Sequence, residues 1–186
     1  KIKSEKIDWL IVDHYSLDKS WHKKLKPLCK KIMVIDDLAD RKHLCNILLD
    51  QNFGRKKIDY LDLVPNDCNL LMGSNYSLLR SEFLKWRSYS LNRRINSKFK
   101  SLLITMGGID RNNLTEQILK ELKNCVLPND LNIIIVMGSG APFLKNVKLA
   151  ANRLEYKTEV KEDVKNIAEI IENADIAIGA AGSTSL

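Results

Sequence analysis

Leu102-Leu103-Ile104-Thr105-Met106 runs straight into Gly107-Gly108-Ile109-Asp110, and Asp175-Ile176-Ala177-Ile178 into Gly179-Ala180-Ala181-Gly182-Ser183-Thr184. Each is a short apolar run that stops in a glycine-rich turn where a helical pattern should follow. Glycine lets the backbone come close to a ligand, and the free N–H groups and positive dipole end of the following helix favour an anion. Such strand-to-helix turns point to phosphate. Neither fits G-x-x-x-x-G-K-[ST], which disfavours a P-loop ATPase, and neither completes a G-x-G-x-x-G dinucleotide fingerprint.

Outward from these turns the second half reads as alternating elements: strand 101–106, helix 112–123 capped by Asn112 or Asn113, strand 132–137, helix 142–154, strand 157–160, helix 163–173 and strand 175–178. That alternation specifies a doubly wound α/β unit. The first half has the same rhythm. Ile7 to Val12 is an apolar run, Asp18 to Lys30 carries Trp21, Leu25 and Leu28 at helical spacing, and Ile32–Ile35, Ile47–Leu49 and Leu70–Met72 are further strands. Uninterrupted apolar strands of this kind belong in parallel sheets covered on both faces, with ligands beyond the strands' carboxyl ends. Residues 53–69 read as loop and Tyr76 to Tyr89 as helix, and the basic, polar stretch Asn92-Arg93-Arg94 to Lys98 reads as a boundary. The expected organisation is therefore α/β, with two Rossmann-like parallel-sheet domains: 1–92, a linker at 93–100, and 101–186. Because Leu186 falls where a helix should begin, the chain is expected to be a piece of a longer enzyme with both domains incomplete.

The bulk properties narrow the classes. In 186 residues, 45% are hydrophobic, enough for a buried core. No apolar run approaches the roughly 20 residues of a membrane span, and no signal-like segment opens the chain, so a cytoplasmic protein without membrane association is expected. Cys29, Cys45, Cys68 and Cys125 form no C-x-x-C pair and have no histidine at zinc-finger spacing; reduced thiols and no metal are expected. The net charge of +7 is spread along helices and loops and does not gather into a tract with interleaved aromatics, so nucleic acid is not the expected partner.

Several clusters could carry chemistry. Asp13-His14-Tyr15 combines a carboxylate, an imidazole and a phenol just after a strand, a set that can bind hydroxyls and move a proton. Asp36-Asp37 invites a ligand, but adjacent residues on an extended strand point oppositely, so at most one faces it; a helix cap or an Arg41 partner is the alternative. His22 and His43 read as surface residues. In the second half the candidates are Met106, Gly107, Gly108 and Asp110 in one turn, and Ala181, Gly182, Ser183 and Thr184 in the other. Between them Val136-Met137-Gly138-Ser139-Gly140-Ala141-Pro142 offers a small-residue floor for a base or ribose, or a plain turn with proline at the first helical position.

Taken in order, Val12–Tyr15, Ile35–Arg41, Leu48–Asn52, Tyr76-Ser77-Leu78-Leu79-Arg80-Ser81-Glu82-Phe83, Met106–Asp110 and Ile178–Ser185 resemble the UDP-sugar hydrolases of pseudaminic acid biosynthesis. Wider relatives include spore-coat polysaccharide proteins and glycosyltransferases of the GT-B fold. The resemblance implies hydrolysis of UDP-2,4-diacetamido-2,4,6-trideoxy-β-L-altropyranose by water at the anomeric carbon, with inversion and without metal or cofactor. It places UDP on the C-terminal domain and the sugar on the N-terminal one. Carried over, Asp13, His14, Tyr15 and Asp37 would contact the sugar, and Arg80 would be a hinge or diphosphate partner. Gly107-Gly108 would lie near the diphosphate, Met137, Gly138 and Ser139 near uracil, and Gly182-Ser183-Thr184 on phosphate. The family's G-x-G-H loop has no match in this sequence, so its histidine, the expected catalytic base, is expected upstream of Lys1. The ribose-binding glutamate expected after Leu186 has no match either. No catalytic residue is therefore assigned, and the chain alone is expected to be inactive. A UDP-dependent glycosyltransferase and a non-catalytic nucleotide-sugar binding module are the competing readings. The sequence does not give an oligomeric state.

Overall fold

The computed structural model describes residues 5–182, which fall into two compact units divided between Leu78 and Leu79. In the first, β1 (Ile7–Asp13), β2 (Cys29–Ile35), β3 (Ile47–Asp50) and β4 (Asn69–Met72) form one parallel sheet in the order β1-β2-β3-β4. All four strands therefore end on the same side. One helix, α1 (Lys19–Leu25), joins β1 to β2, and its start is fixed by Asp18, whose carboxylate accepts from the amides of Ser20 and Trp21. The helix ends earlier than its apolar spacing suggests. Pro27 sits in a short 3-10 turn over Lys26–Leu28, and Cys29 already pairs in the sheet.

Val12, Ile32, Val34, Leu48, Tyr60 and Leu70 make the core of this unit. Ile7, Trp9 and Ile11, on the other face of β1, are exposed, so among the described residues the sheet is not covered on both faces along that edge. His22 and His43, read from sequence as surface residues, are instead buried and stacked, with ring centroids 5.5 Å apart. His22 Nδ1 accepts from the Leu44 amide, so the neutral ring carries its proton on Nε2.

Burial, reinforced by the neighbouring His43, pushes His22 down from 6.5 to about 4. In the unfolded chain the imidazole takes a proton near its ordinary value; in the fold it resists doing so. The stabilising contribution is thus complete above about pH 6.5 and is lost as the pH falls toward 4, by up to about 3 kcal/mol. Urea unfolding of the first unit between pH 7 and 4 should show this decline, and His22→Gln should flatten it.

In the second unit, β5 (Ser101–Thr105), β6 (Asn132–Met137), β7 (Lys157–Glu162) and β8 (Ile176–Gly179) form a second parallel sheet in the order β7-β6-β5-β8. Helices α3 (Leu114–Leu122), α4 (Leu144–Ala151) and α5 (Ile167–Asn173) make the crossovers. Both units are thus parallel α/β sheets of the Rossmann-like kind. Leu102, Ile104, Leu119, Ile133, Ile135, Met137 and Val147 interlock in the core.

The helix α2 (Ser81–Arg94) belongs to this unit, which puts the division well before the stretch 93–100 read as a linker. The arginines that suggested a solvated linker are tied down. Arg93 pairs with Asp175 at 2.7 Å and donates to the carbonyls of Glu172 and Ala174, and Arg94 donates to those of Ile171 and Ala174. Two guanidinium groups thus satisfy the open carbonyls at the end of α5 and meet the negative end of its dipole. Ahead of α2, Gly73 turns the chain at φ +87°, Ser74–Tyr76 makes a 3-10 turn, and the helix starts only at Ser81.

Candidate functional site

In the first unit the candidate residues gather where β1, β2 and β3 end. Asp13, His14 and Tyr15 are exposed at the end of β1, and the Tyr15 hydroxyl donates to Asp37 Oδ2 at 3.1 Å. That bond, with the charge of Asp37, raises the Tyr15 pKa and keeps the phenol a donor. His14 Nδ1 accepts from the Ser16 amide, leaving Nε2 as the outward-facing donor. The other oxygen of Asp37, Oδ1, is buried and has no partner among the described residues. Asp37 thus meets the exposed phenol of Tyr15 through Oδ2, while Oδ1 is turned away from solvent.

Beneath this surface lies a buried charged lattice that the sequence reading did not assemble. Asp36 pairs with Arg41 at 2.6 Å and accepts from the Ala39 amide; burial alone would raise its pKa, but the neighbouring His43, the Ala39 amide, the Tyr60 hydroxyl and the Arg41 charge together hold the carboxyl well below the usual range. Asp50 pairs with Arg55 at 2.5 Å. The Tyr60 hydroxyl bridges the two carboxylates, 2.8 Å from each. Burial and the two carboxylates push the Tyr60 pKa far up, so this phenol stays protonated. From the lattice, Arg55 and Asn52 both donate to the backbone carbonyl of Asp37, and Arg41 donates to that of His14. Of the Asp36-Asp37 pair, Asp36 is therefore the internal partner of Arg41, and Asp37, half-buried, is the one that meets Tyr15.

In the second unit the strand order reverses at β5: the chain proceeds to β6 and β7 on one side and returns to β8 on the other. Open α/β sheets bind ligands at such a switch point, outside the strands' carboxyl ends. The two glycine-rich turns lie there, one after Thr105 and one after Gly179, which are paired residues of β5 and β8. Gly107, at φ +86°, and Gly108 are exposed. Among the described residues the amides of Gly107, Gly108 and Ile109 donate to no protein group. Ala181, in the left-handed region at φ +54°, and Gly182 are exposed as well, whereas Ser183 and Thr184 lie outside the described residues. Lys1 is outside them too, and with it the position expected for the catalytic base upstream.

The turn after β6 is locked to the turn after β5. The Gly138 amide donates to the Gly108 carbonyl at 2.8 Å, and a Cβ at position 138 would sit 2.6 Å from that same oxygen. Only glycine fits. The Ser139 amide is engaged by the Asp163 carboxylate at 2.9 Å, and the Met137 side chain is in the core, so these two positions offer a ligand less than the sequence suggested.

Asp110 also has an internal role. Its two carboxylate oxygens accept from the amides of Leu114 and Thr115, each at 2.9 Å. This carboxylate, and neither Asn112 nor Asn113, caps α3; Asn113 occupies the cap position at φ +53° and its side chain turns to Glu116. The end of α3 is thus already occupied by a negative group, and the free amides belong to the turn itself. Asp110→Ala should cost about 1–2 kcal/mol of stability in urea unfolding, the range of lost N-caps, and Asp110→Asn should recover part of it.

Arg80 lies in the second unit, where it pairs with Glu82 at 2.6 Å, stacks over Phe83 and donates to the Lys165 carbonyl. Among the described residues no group of His, Cys, Asp and Glu is arranged to hold a metal ion, and no helix is long and apolar enough to cross a membrane.

The chain is similar over 98% of its length, at 34% identity, to the UDP-2,4-diacetamido-2,4,6-trideoxy-beta-L-altropyranose hydrolase of Campylobacter jejuni, of which it spans 62%. It is 28% identical to an uncharacterized protein of Methanocaldococcus jannaschii and 27% identical to the spore coat polysaccharide biosynthesis protein SpsG of Bacillus subtilis. Both matches cover 98% of the chain, and 38% and 52% of those proteins. No protein-family model matches the chain.

Proposed function

We propose that a protein containing this chain handles a nucleotide-linked sugar in polysaccharide or nonulosonate biosynthesis, and that its reaction is hydrolysis of a UDP-linked diacetamido-trideoxy sugar at the anomeric carbon. The hydrolase from Campylobacter jejuni, similar along nearly the whole of this chain, supports the reaction class. The observation that carries the nucleotide assignment is the reversal of strand order at β5 and β8, with exposed glycine turns on both strands.

In this reading the unengaged amides of Gly107, Gly108 and Ile109, with the turn at Ala181-Gly182, hold the diphosphate and stabilise the charge it gains as the glycosidic bond breaks. Preorganised donors aimed at a developing anion are among the larger catalytic contributions. The first unit supplies sugar contacts: Tyr15 positioned by Asp37 through Oδ2, His14 through Nε2, and Asp13. Rigidity there comes from the buried lattice, which fixes the backbone at His14 and Asp37 and so restricts the orientations a bound sugar can take. The water-activating base is assigned to no residue from Lys1 to Leu186.

Calorimetric titration of UDP, UMP and ADP against the chain tests the reading. Binding of UDP at least about tenfold tighter than of UMP, a gap of about 1.4 kcal/mol, is expected if the amides grip the second phosphate. Equal affinity for all three would leave a parallel α/β fold without the assigned ligand.

A further inference from the structure

We propose that Cys45 and Cys68 form a hydroperoxide-responsive dithiol that closes to an intrachain disulfide. The two sulfurs are 3.5 Å apart. Cys45 stands just before β3 and Cys68 immediately before β4, neighbouring strands whose register pairs Ile47 with Asn69. The backbone there is fixed by the hydrogen bond from the Asn69 amide to the Asn46 carbonyl, so the thiols meet just ahead of the first paired residues of the two strands. Closing the gap to a covalent bond needs side-chain rotation and little backbone movement.

The two thiols are unlike in the way an exchange reaction requires. Cys45 is buried in the core of the first unit, whereas Cys68 is only half-buried, so an oxidant reaches Cys68 first. Either thiol can donate across the contact; once the more accessible Cys68 ionises it accepts from Cys45, which lowers the Cys68 pKa and raises that of buried Cys45. Cys68 is then the nucleophile and Cys45 the resolving thiol. The Cys68 thiolate attacks one peroxide oxygen, the O–O bond breaks, and the other oxygen leaves as water or an alcohol, giving a sulfenic acid. Cys45 sulfur attacks the Cys68 sulfur, the S–O bond breaks, and its oxygen departs with the Cys45 proton as water. Two thiols and one hydroperoxide thus yield a disulfide, water and one further molecule of water or alcohol.

The bond would clip a segment that contains Asp50, Arg55 and Tyr60, the residues under the candidate sugar-contact surface. Oxidation therefore ties the lattice of the first unit while leaving the turns of the second untouched.

The experiment uses the chain with Cys125→Ser, which removes the exposed thiol, treated with hydrogen peroxide and then alkylated. The expected product is lighter than the reduced chain by two hydrogens before alkylation. Non-reducing tryptic maps should join the peptides 43–55 and 58–80, and the thermal midpoint should rise by several degrees and fall back with dithiothreitol. Cys68→Ser should abolish the cross-link and leave Cys45 fully alkylatable after peroxide. Accumulation of sulfinic acid at Cys68 with Cys45 still alkylatable, or a peroxide-dependent cross-link that survives in Cys68→Ser, would overturn the proposal.

Discussion

Replacing Arg41 by methionine will destabilise the first unit by about 3–5 kcal/mol, the range for removing one partner of a buried ion pair. The Asp36 side chain is 0% exposed and that of Arg41 only 15%, and their nitrogen and oxygen lie 2.6 Å apart. Methionine fills much of the same volume, so the loss comes from the uncompensated carboxylate and from the donor withdrawn from the His14 carbonyl. Arg41→Lys will recover only part, because an ammonium cannot reach both groups as a planar guanidinium does. The measurement is urea unfolding followed by Trp9 and Trp21 fluorescence in a Trp86→Phe background, which reports the first unit alone. An exposed control in the same unit, Lys24→Met, should stay within about 0.5 kcal/mol. A loss under about 1 kcal/mol for Arg41→Met would mean that Asp36 is neutral or solvated, and the lattice would not be the support described.

Gly138→Ala carries the largest expected effect in the second unit. The added carbon would sit 2.6 Å from the Gly108 oxygen and 3.3 Å from its carbonyl carbon, and both are backbone atoms that cannot swing aside as a side chain could. The turn after β5 must move. Overpacking of this kind costs about 1–3 kcal/mol, and if that turn holds a diphosphate, UDP binding should weaken at least about tenfold. Gly140→Ala is the matched control, since its added carbon meets nothing within 4 Å. Equal effects of the two substitutions on UDP binding would detach the Gly108–Gly138 contact from the site.

What could be read from the sequence follows from which interactions are local. The parallel α/β pattern was legible because most of the strands carry a continuous apolar run: Leu102, Leu103 and Ile104 announce β5, and Ile133 to Val136 announce β6, whereas the edge strand β7, Lys157–Glu162, holds Val160 as its one apolar residue. Boundaries were less so where a distant partner sets them. The division at Leu78/Leu79 escaped notice because Arg93 and Arg94 look like linker residues until α5 is seen to end against them. His22 and His43 were misread as surface residues because their stacking depends on two segments far apart in sequence. The cap of α3 was misassigned to asparagine because Asp110 reaches forward from a left-handed backbone, at φ +39°, that sequence alone does not disclose.

The buried lattice did leave a signal that went unused. Asp36 directly follows β2 and Asp50 closes β3, and each is followed five residues later by an arginine, Arg41 and Arg55. A carboxylate closing an apolar strand is on course to be buried and needs a cation, so the repeated spacing is the mark of two internal ion pairs. Tyr60 carried no comparable signal, since nothing in a loop of mixed charge tells which hydroxyl will bridge two acids.

In the proposed function, main-chain amides at the switch point of the second sheet receive the diphosphate of a uridine nucleotide. Backbone amide resonances of the isotope-labelled chain during a UDP titration test it most directly. The largest shifts are expected at Gly107, Gly108 and Ile109, with Ala181 and Gly182 moving at the same nucleotide concentration. Shifts concentrated away from the ends of β5 and β8, or none at saturating UDP, would contradict it.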